Sequence, residues 1–100
     1  MDVPFAWREH QVAPFPFSCL QLSVSGIPLV KLDAEVGASL TASLRTDGMP
    51  RPLPADRRAS LFRCCEQVGA ALREVPLDPG ARSYFERLQE LATVVLSVRG

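Results

Sequence analysis

Residues 30–44 read VKLDAEVGASLTASL, and every even-numbered position in this stretch is apolar. The apolar positions are Val30, Leu32, Ala34, Val36, Ala38, Leu40, Ala42 and Leu44. Side chains on a β-strand point alternately to opposite faces, so the pattern predicts strand with one buried and one solvated face. Because most strands have roughly three to ten residues, we expect two strands here, at about 29–36 and 38–45, divided near Gly37.

A further strand is predicted just before this stretch. Leu20, Leu22 and Val24 alternate with polar residues, and Ser25-Gly26 then interrupts the pattern. Gly26 is suited to the positive φ of a tight connection. Asp47-Gly48 is a second turn signal, placed to end the sheet. The prediction is a three-stranded antiparallel meander.

Two helices are predicted after a proline-rich loop at 49–54. The first extends from about residue 55 to Pro76, since apolar residues recur at helical spacing. These residues are Leu61, Cys65, Val68, Leu72 and Val75. Asp78 is a good N-cap and Pro79 suits the first helical position, so a second helix begins there and continues to about Leu96. The β-branched residues at 93–98 leave a final strand as the alternative. The expected fold is therefore a two-layer α+β domain at residues 18–100, with two C-terminal helices packed on the meander.

Residues 1–17 are predicted to form an extended arm, rich in aromatic residues and proline. Pro14 and Pro16 favour extended backbone, while residues 5–12 have room for a helical turn or two. The aromatic rings either pack onto the core or form an exposed surface for a partner. The candidate partner-binding residues are Phe5, Trp7, Phe15, Phe17, Leu20, Leu22 and Val24.

Composition excludes several classes of protein. Eleven basic residues balance eleven acidic ones, which argues against a nucleic-acid binder that needs many phosphate contacts. No apolar run is long enough to span a membrane, and the first residues do not resemble a signal peptide, so we expect a cytoplasmic protein. The three cysteines include the adjacent Cys64 and Cys65 and contain no C-x-x-C motif, which favours small buried thiols over a redox or metal site.

Residues suited to catalysis are few. His10 is the only histidine, and a packed or exposed role is expected for it rather than that of a general base. Asp33 and Glu35 would share one strand face, about 7 Å apart, where paired carboxylates can act as acid and base or bind a divalent ion. Lys31 lies on the same face, which favours a solvated charged surface instead. We expect no catalytic residues, no metal and no cofactor.

The order of apolar segments resembles that of class I type III secretion chaperones. The segments that carry this resemblance are 20–22, 26–32, 38–44, 53–58 and 61–62, within about residues 17–75. The family implies a twisted sheet, a proline-bearing loop and a helix, in small cytosolic homodimers that hold a partner segment in extended form. The family is usually longer, with a helix before the first strand, and it implies no catalytic residue.

These observations predict a non-enzymatic protein-binding module, such as a secretion-type chaperone or an adaptor, with a protein partner or a second copy of itself as ligand. One alternative is an obligate small subunit of a larger complex, anchored by the arm. The other is a small ligand-binding domain or enzyme that uses Asp33 and Glu35.

Overall fold

The computed structural model describes residues 2–99 and shows a mostly helical domain. Its elements are helix α1 (Val3–Val12), a short 3-10 helix (Phe17–Cys19), strands β1 (Ser23–Val24) and β2 (Ile27–Pro28), and helices α2 (Leu29–Leu44), α3 (Ala55–Glu74) and α4 (Pro79–Ser97). The prediction of a three-stranded meander is wrong, because the sheet in the described residues contains only β1 and β2.

The alternating stretch at residues 30–44 forms helix α2 instead of two strands. Its larger apolar residues lie four positions apart, at Leu32, Val36, Leu40 and Leu44, and all four are fully buried along one helix face. The residues between them that completed the alternation include three alanines, which are exposed. Alanine is the best helix former and costs little when it faces water. The pattern was therefore a helical stripe of large residues with alanines between them.

The tight turn at Ser25-Gly26 is confirmed. Val24 pairs with Ile27 in an antiparallel bridge, and both turn residues have positive φ, 49° and 79°. Positive φ at both positions is typical of one of the two favoured turns in two-residue hairpin loops, because it matches the twist of the strands. The first predicted strand is thus reduced to two residues, and the hairpin leads directly into α2.

The N-terminal segment is not the extended arm that its prolines suggested. Asp2 caps α1 by accepting a hydrogen bond from the Phe5 amide at 3.1 Å, and Pro4 lies in the first turn, where its missing N–H costs nothing. Helix α1 packs on α4, and the Trp7 indole donates a 2.8 Å hydrogen bond to the Arg45 carbonyl.

The two predicted C-terminal helices are confirmed as α3 and α4. Asp78 accepts a hydrogen bond from the Ala81 amide at 2.8 Å, and Pro79 opens α4 as expected. Residues 93–97 continue the helix, so the alternative of a final strand is wrong. A short connection makes α3 and α4 an antiparallel hairpin, and α2 packs across both helices. The core centres on Phe85, Leu88 and Leu91 of α4.

Candidate protein-binding surface

A groove of about 820 Å³ runs between α3 and α4 on the side away from the core. Its apolar lining comes from Ala55, Ala59 and Phe62 of α3 and from Leu96 of α4. Phe62 is 55% exposed, although a phenylalanine gains by being buried. Arg58, Arg63 and Glu66 also line the groove. An apolar floor with a charged rim is typical of a surface that receives another protein.

Contacts along the helical hairpin fix the shape of the groove. Near one end, the Arg58 Nη1 atom donates a 3.1 Å hydrogen bond to the Val98 carbonyl, just beyond the last turn of α4. Farther along, a Cβ added to Gly69 would lie 2.9 Å from the Gln89 side-chain nitrogen, so the absence of a side chain lets the two helices approach. The groove is therefore built on two helices and does not depend on a loop.

Three of the α3 residues that line the groove form a straight row. Arg58, Phe62 and Glu66 are each separated by four positions, so they lie one above another on the helix surface. Among residues 2–99 the only ion pair joins Arg51 and Asp47, at 2.7 Å. The charges of Arg58 and Glu66 thus have no ionic partner within the described chain.

The structure distributes the candidate residues of the N-terminal region over buried and exposed positions. Trp7 and Val24 lie in the core, while Phe15 and Leu22 are half-buried and pack against it. The exposed members are Phe5 (55%), Phe17 (86%) and Leu20 (47%). They lie on α1 and around the 3-10 helix and do not line the α3–α4 groove.

His10 is packed into an aromatic cluster. Its ring centroid lies 4.9 Å from that of Tyr84 and 6.3 Å from that of Trp7, and its buried Nδ1 atom has no hydrogen-bond partner. Burial lowers the pKa of His10 from 6.5 to about 4, and the positive charge of Arg87 contributes in the same direction. The imidazole is therefore neutral at pH 7.

Asp33 and Glu35 do not form a pair, because two residues apart on a helix they point to different sides. Asp33 accepts a 2.8 Å hydrogen bond from the Tyr84 hydroxyl on α4. Burial raises the pKa of Asp33, and burial together with Asp33 raises the pKa of Tyr84. Glu35 instead faces α3, where the Cys64 thiol donates to it at 3.5 Å. Burial and the Glu35 carboxylate raise the pKa of Cys64, which suppresses its thiolate form.

Sequence reasoning missed the groove because Phe62 lies outside the predicted apolar stripe of α3, as a single apolar residue on a polar helix face. The predicted apolar face of α3 included Cys65, yet Cys64 is the buried member of the pair and Cys65 is half-buried at the groove. The available signal was a lone phenylalanine between Arg58 and Glu66, each four positions away. An aromatic residue between charged neighbours on one helix row indicates an exposed contact.

Comparison with protein-family models, curated proteins and solved structures gave no significant match. Within residues 2–99, no three potential metal-ligating side chains come together. The helices in that range are also too short or too polar to cross a membrane.

Proposed function

We propose that this chain is a non-enzymatic protein-binding module that receives an amphipathic helix in the α3–α4 groove. The observation that carries the proposal is Phe62, an exposed aromatic residue that lines a groove between two helices. The neighbouring charges of Arg58 and Glu66 have no ionic partner among residues 2–99. Helix-in-groove recognition uses this combination of an apolar floor and a polar rim. Aromatic residues that become buried at such contacts often dominate the binding energy.

The polar residues considered for catalysis have structural roles that support this proposal. Asp33 accepts a hydrogen bond from Tyr84, Glu35 faces a cysteine, and His10 is buried among aromatic rings. None of the three lines the α3–α4 groove. A small enzyme based on Asp33 and Glu35 would need both carboxylates at one site, and the helix separates them.

Cytoplasmic location belongs to the proposal as well. Cys19, Cys64 and Cys65 are all free thiols, and Cys19 and Cys64 are buried. Free cysteines of this kind are compatible with a reducing compartment. The role of a secretion-type chaperone or adaptor is one form of the proposed function, since both bind a segment of another protein.

Photo-crosslinking tests the proposal at a single position. A benzoyl-phenylalanine replaces Phe62 in the full chain, within the cells that produce the protein. The control variant carries the same group at Thr41, which is exposed on α2 and does not line the α3–α4 groove. We expect crosslinks from position 62 to one identified polypeptide, mapped to one segment, and none from position 41. A folded variant whose position 62 crosslinks to no polypeptide would overturn the proposal.

A further inference from the structure

We propose that the occupant of the α3–α4 groove is a second copy of this chain, with the two α3 helices packed antiparallel about a two-fold axis at Phe62. This inference rests on the proposed function and names the partner. It follows from the order of charges along the row Arg58, Phe62 and Glu66.

The positions of these three residues are symmetric. Arg58 and Glu66 lie four positions before and after Phe62, which places each about 6 Å from it along the helix axis. In an antiparallel pair with its two-fold axis at Phe62, position 58 of one copy therefore faces position 66 of the other. The residue types are opposite in charge, so both symmetry-related contacts join an arginine to a glutamate. A row with equal charges at its two ends would repel its own copy.

The row also has a shape that suits helix packing. Residues at intervals of four form a ridge on a helix, and two such ridges interdigitate in the commonest class of helix–helix contact. Beside this ridge lie the small side chains of Ala55 and Ala59, which leave a shallow channel for the ridge of the opposite copy. Phe62 then loses its contact with water in both copies.

The charge balance of the chain favours association between identical copies. The formal net charge at pH 7 is zero, so two copies meet without long-range repulsion. Arg58 donates through Nη1 to the Val98 carbonyl, and a guanidinium has further N–H donors for a carboxylate. The bond to Val98 holds the guanidinium at the groove instead of leaving it free to rotate. Less side-chain entropy is then lost when the partner carboxylate binds.

Charge exchange tests this arrangement directly. Arg58→Glu places two glutamates together in both contacts of a homodimer, and Glu66→Arg places two arginines together. Sedimentation velocity of the wild type should show a dimer at micromolar concentrations. Because each variant exchanges two attractive contacts for two repulsive ones, each should self-associate at least about tenfold more weakly. The double variant R58E/E66R restores both contacts in the opposite sense and should dimerise again.

Mixing the two single variants gives a second readout that folding defects do not imitate. In the antiparallel register, position 58 of the Arg58→Glu variant meets the arginine at position 66 of the Glu66→Arg variant. Glu66 of the first variant meets Arg58 of the second. Both contacts are then attractive, so the heterodimer should form when neither variant dimerises alone. Circular dichroism of each single variant checks that the helices are intact.

The possible outcomes separate the two proposals. A wild type that stays monomeric at about 100 μM, or a dimer that neither single variant weakens, would overturn the two-fold arrangement at Phe62. If position 62 crosslinks only to a different protein, self-association through this groove is refuted while the proposed binding function stands. Crosslinking from position 62 to the chain's own α3, together with rescue in the mixture, would support both.

Discussion

Acid should destabilise this protein through His10 before its carboxylates titrate. The folded state holds the pKa of His10 at about 4, whereas an unfolded chain restores 6.5. Between these values the unfolded state binds more protons, so the free energy of unfolding falls as the pH falls. The stabilisation is complete above pH 6.5 and is lost progressively toward pH 4.

The magnitude follows from the two pKa values. Linkage gives a loss of about 2 kcal/mol between pH 7.5 and pH 5, and about 3 kcal/mol by pH 4. Residual solvent contact at the edge of the cluster screens the charge, so we expect about 1–2 kcal/mol at pH 5. The charged or titratable groups around the ring are Arg87 and Tyr84 on α4, with Asp33 of α2 bonded to Tyr84. The raised pKa of Asp33 acts in the opposite direction, because acid favours its folded, protonated form.

The comparison with His10→Phe isolates the histidine, since Asp33 remains in both proteins. Phenylalanine keeps an aromatic ring against Tyr84 and removes both the titratable imidazole and its unpartnered Nδ1 atom. Because the phenyl ring is larger than imidazole and could crowd the aromatic cluster, His10→Leu serves as a second variant. Urea unfolding at pH 7.5 and pH 5 can be followed by the fluorescence of Trp7, the only tryptophan. The wild type should lose about 1–2 kcal/mol more than either variant. Equal losses in all three proteins would refute the assignment to His10.

Three further substitutions test the packing of the fold by urea unfolding. Gly48→Ala should destabilise by about 2–4 kcal/mol, because φ is 72° there and the new Cβ would lie 2.5 Å from the Pro4 Cα. Gly37→Ala is the matched control and should stabilise by about 0.5–1 kcal/mol, since its helical site is open; destabilisation there would contradict the assignment of α2 as a helix. Ser43→Ala should cost about 1–3 kcal/mol, because the hydroxyl donates to the Arg51 carbonyl at 2.6 Å and accepts from its amide at 3.0 Å. A cost near zero would show that water replaces the hydroxyl.

Local signals in the sequence predicted α3, α4 and the hairpin turn correctly. Asp78-Pro79 opens α4, Pro76 follows the end of α3, and Ser25-Gly26 makes the turn, because each depends on the backbone preferences of neighbouring residues. The two strands predicted for residues 30–44 are wrong because the alternation gives alanine the same weight as leucine and valine. Size distinguishes the two patterns: the leucines and Val36 need burial, and the alanines do not. Tertiary packing then selected the helix.

The candidate surface was less accessible to sequence reasoning than the fold. The aromatic residues near the N-terminus include Trp7 in the core and Phe17 in solvent, and their pattern alone does not distinguish these environments. Prolines at 14 and 16 indicated extended backbone correctly just after α1, yet they carried no information on the ten residues of that helix. The groove depends on how α3 lies against α4, and this is a property of the packed hairpin rather than of either helix.

The packing of α1 on α4 has a consequence for biosynthesis. Helix α1 is translated before α4, and α4 carries Tyr84, which packs against the His10 ring of α1. The aromatic face of α1 must therefore stay without its partner until translation reaches α4. Trp7 lies beside His10, with their ring centroids 6.3 Å apart, so its fluorescence on stalled nascent chains would report when α4 packs against the His10 ring.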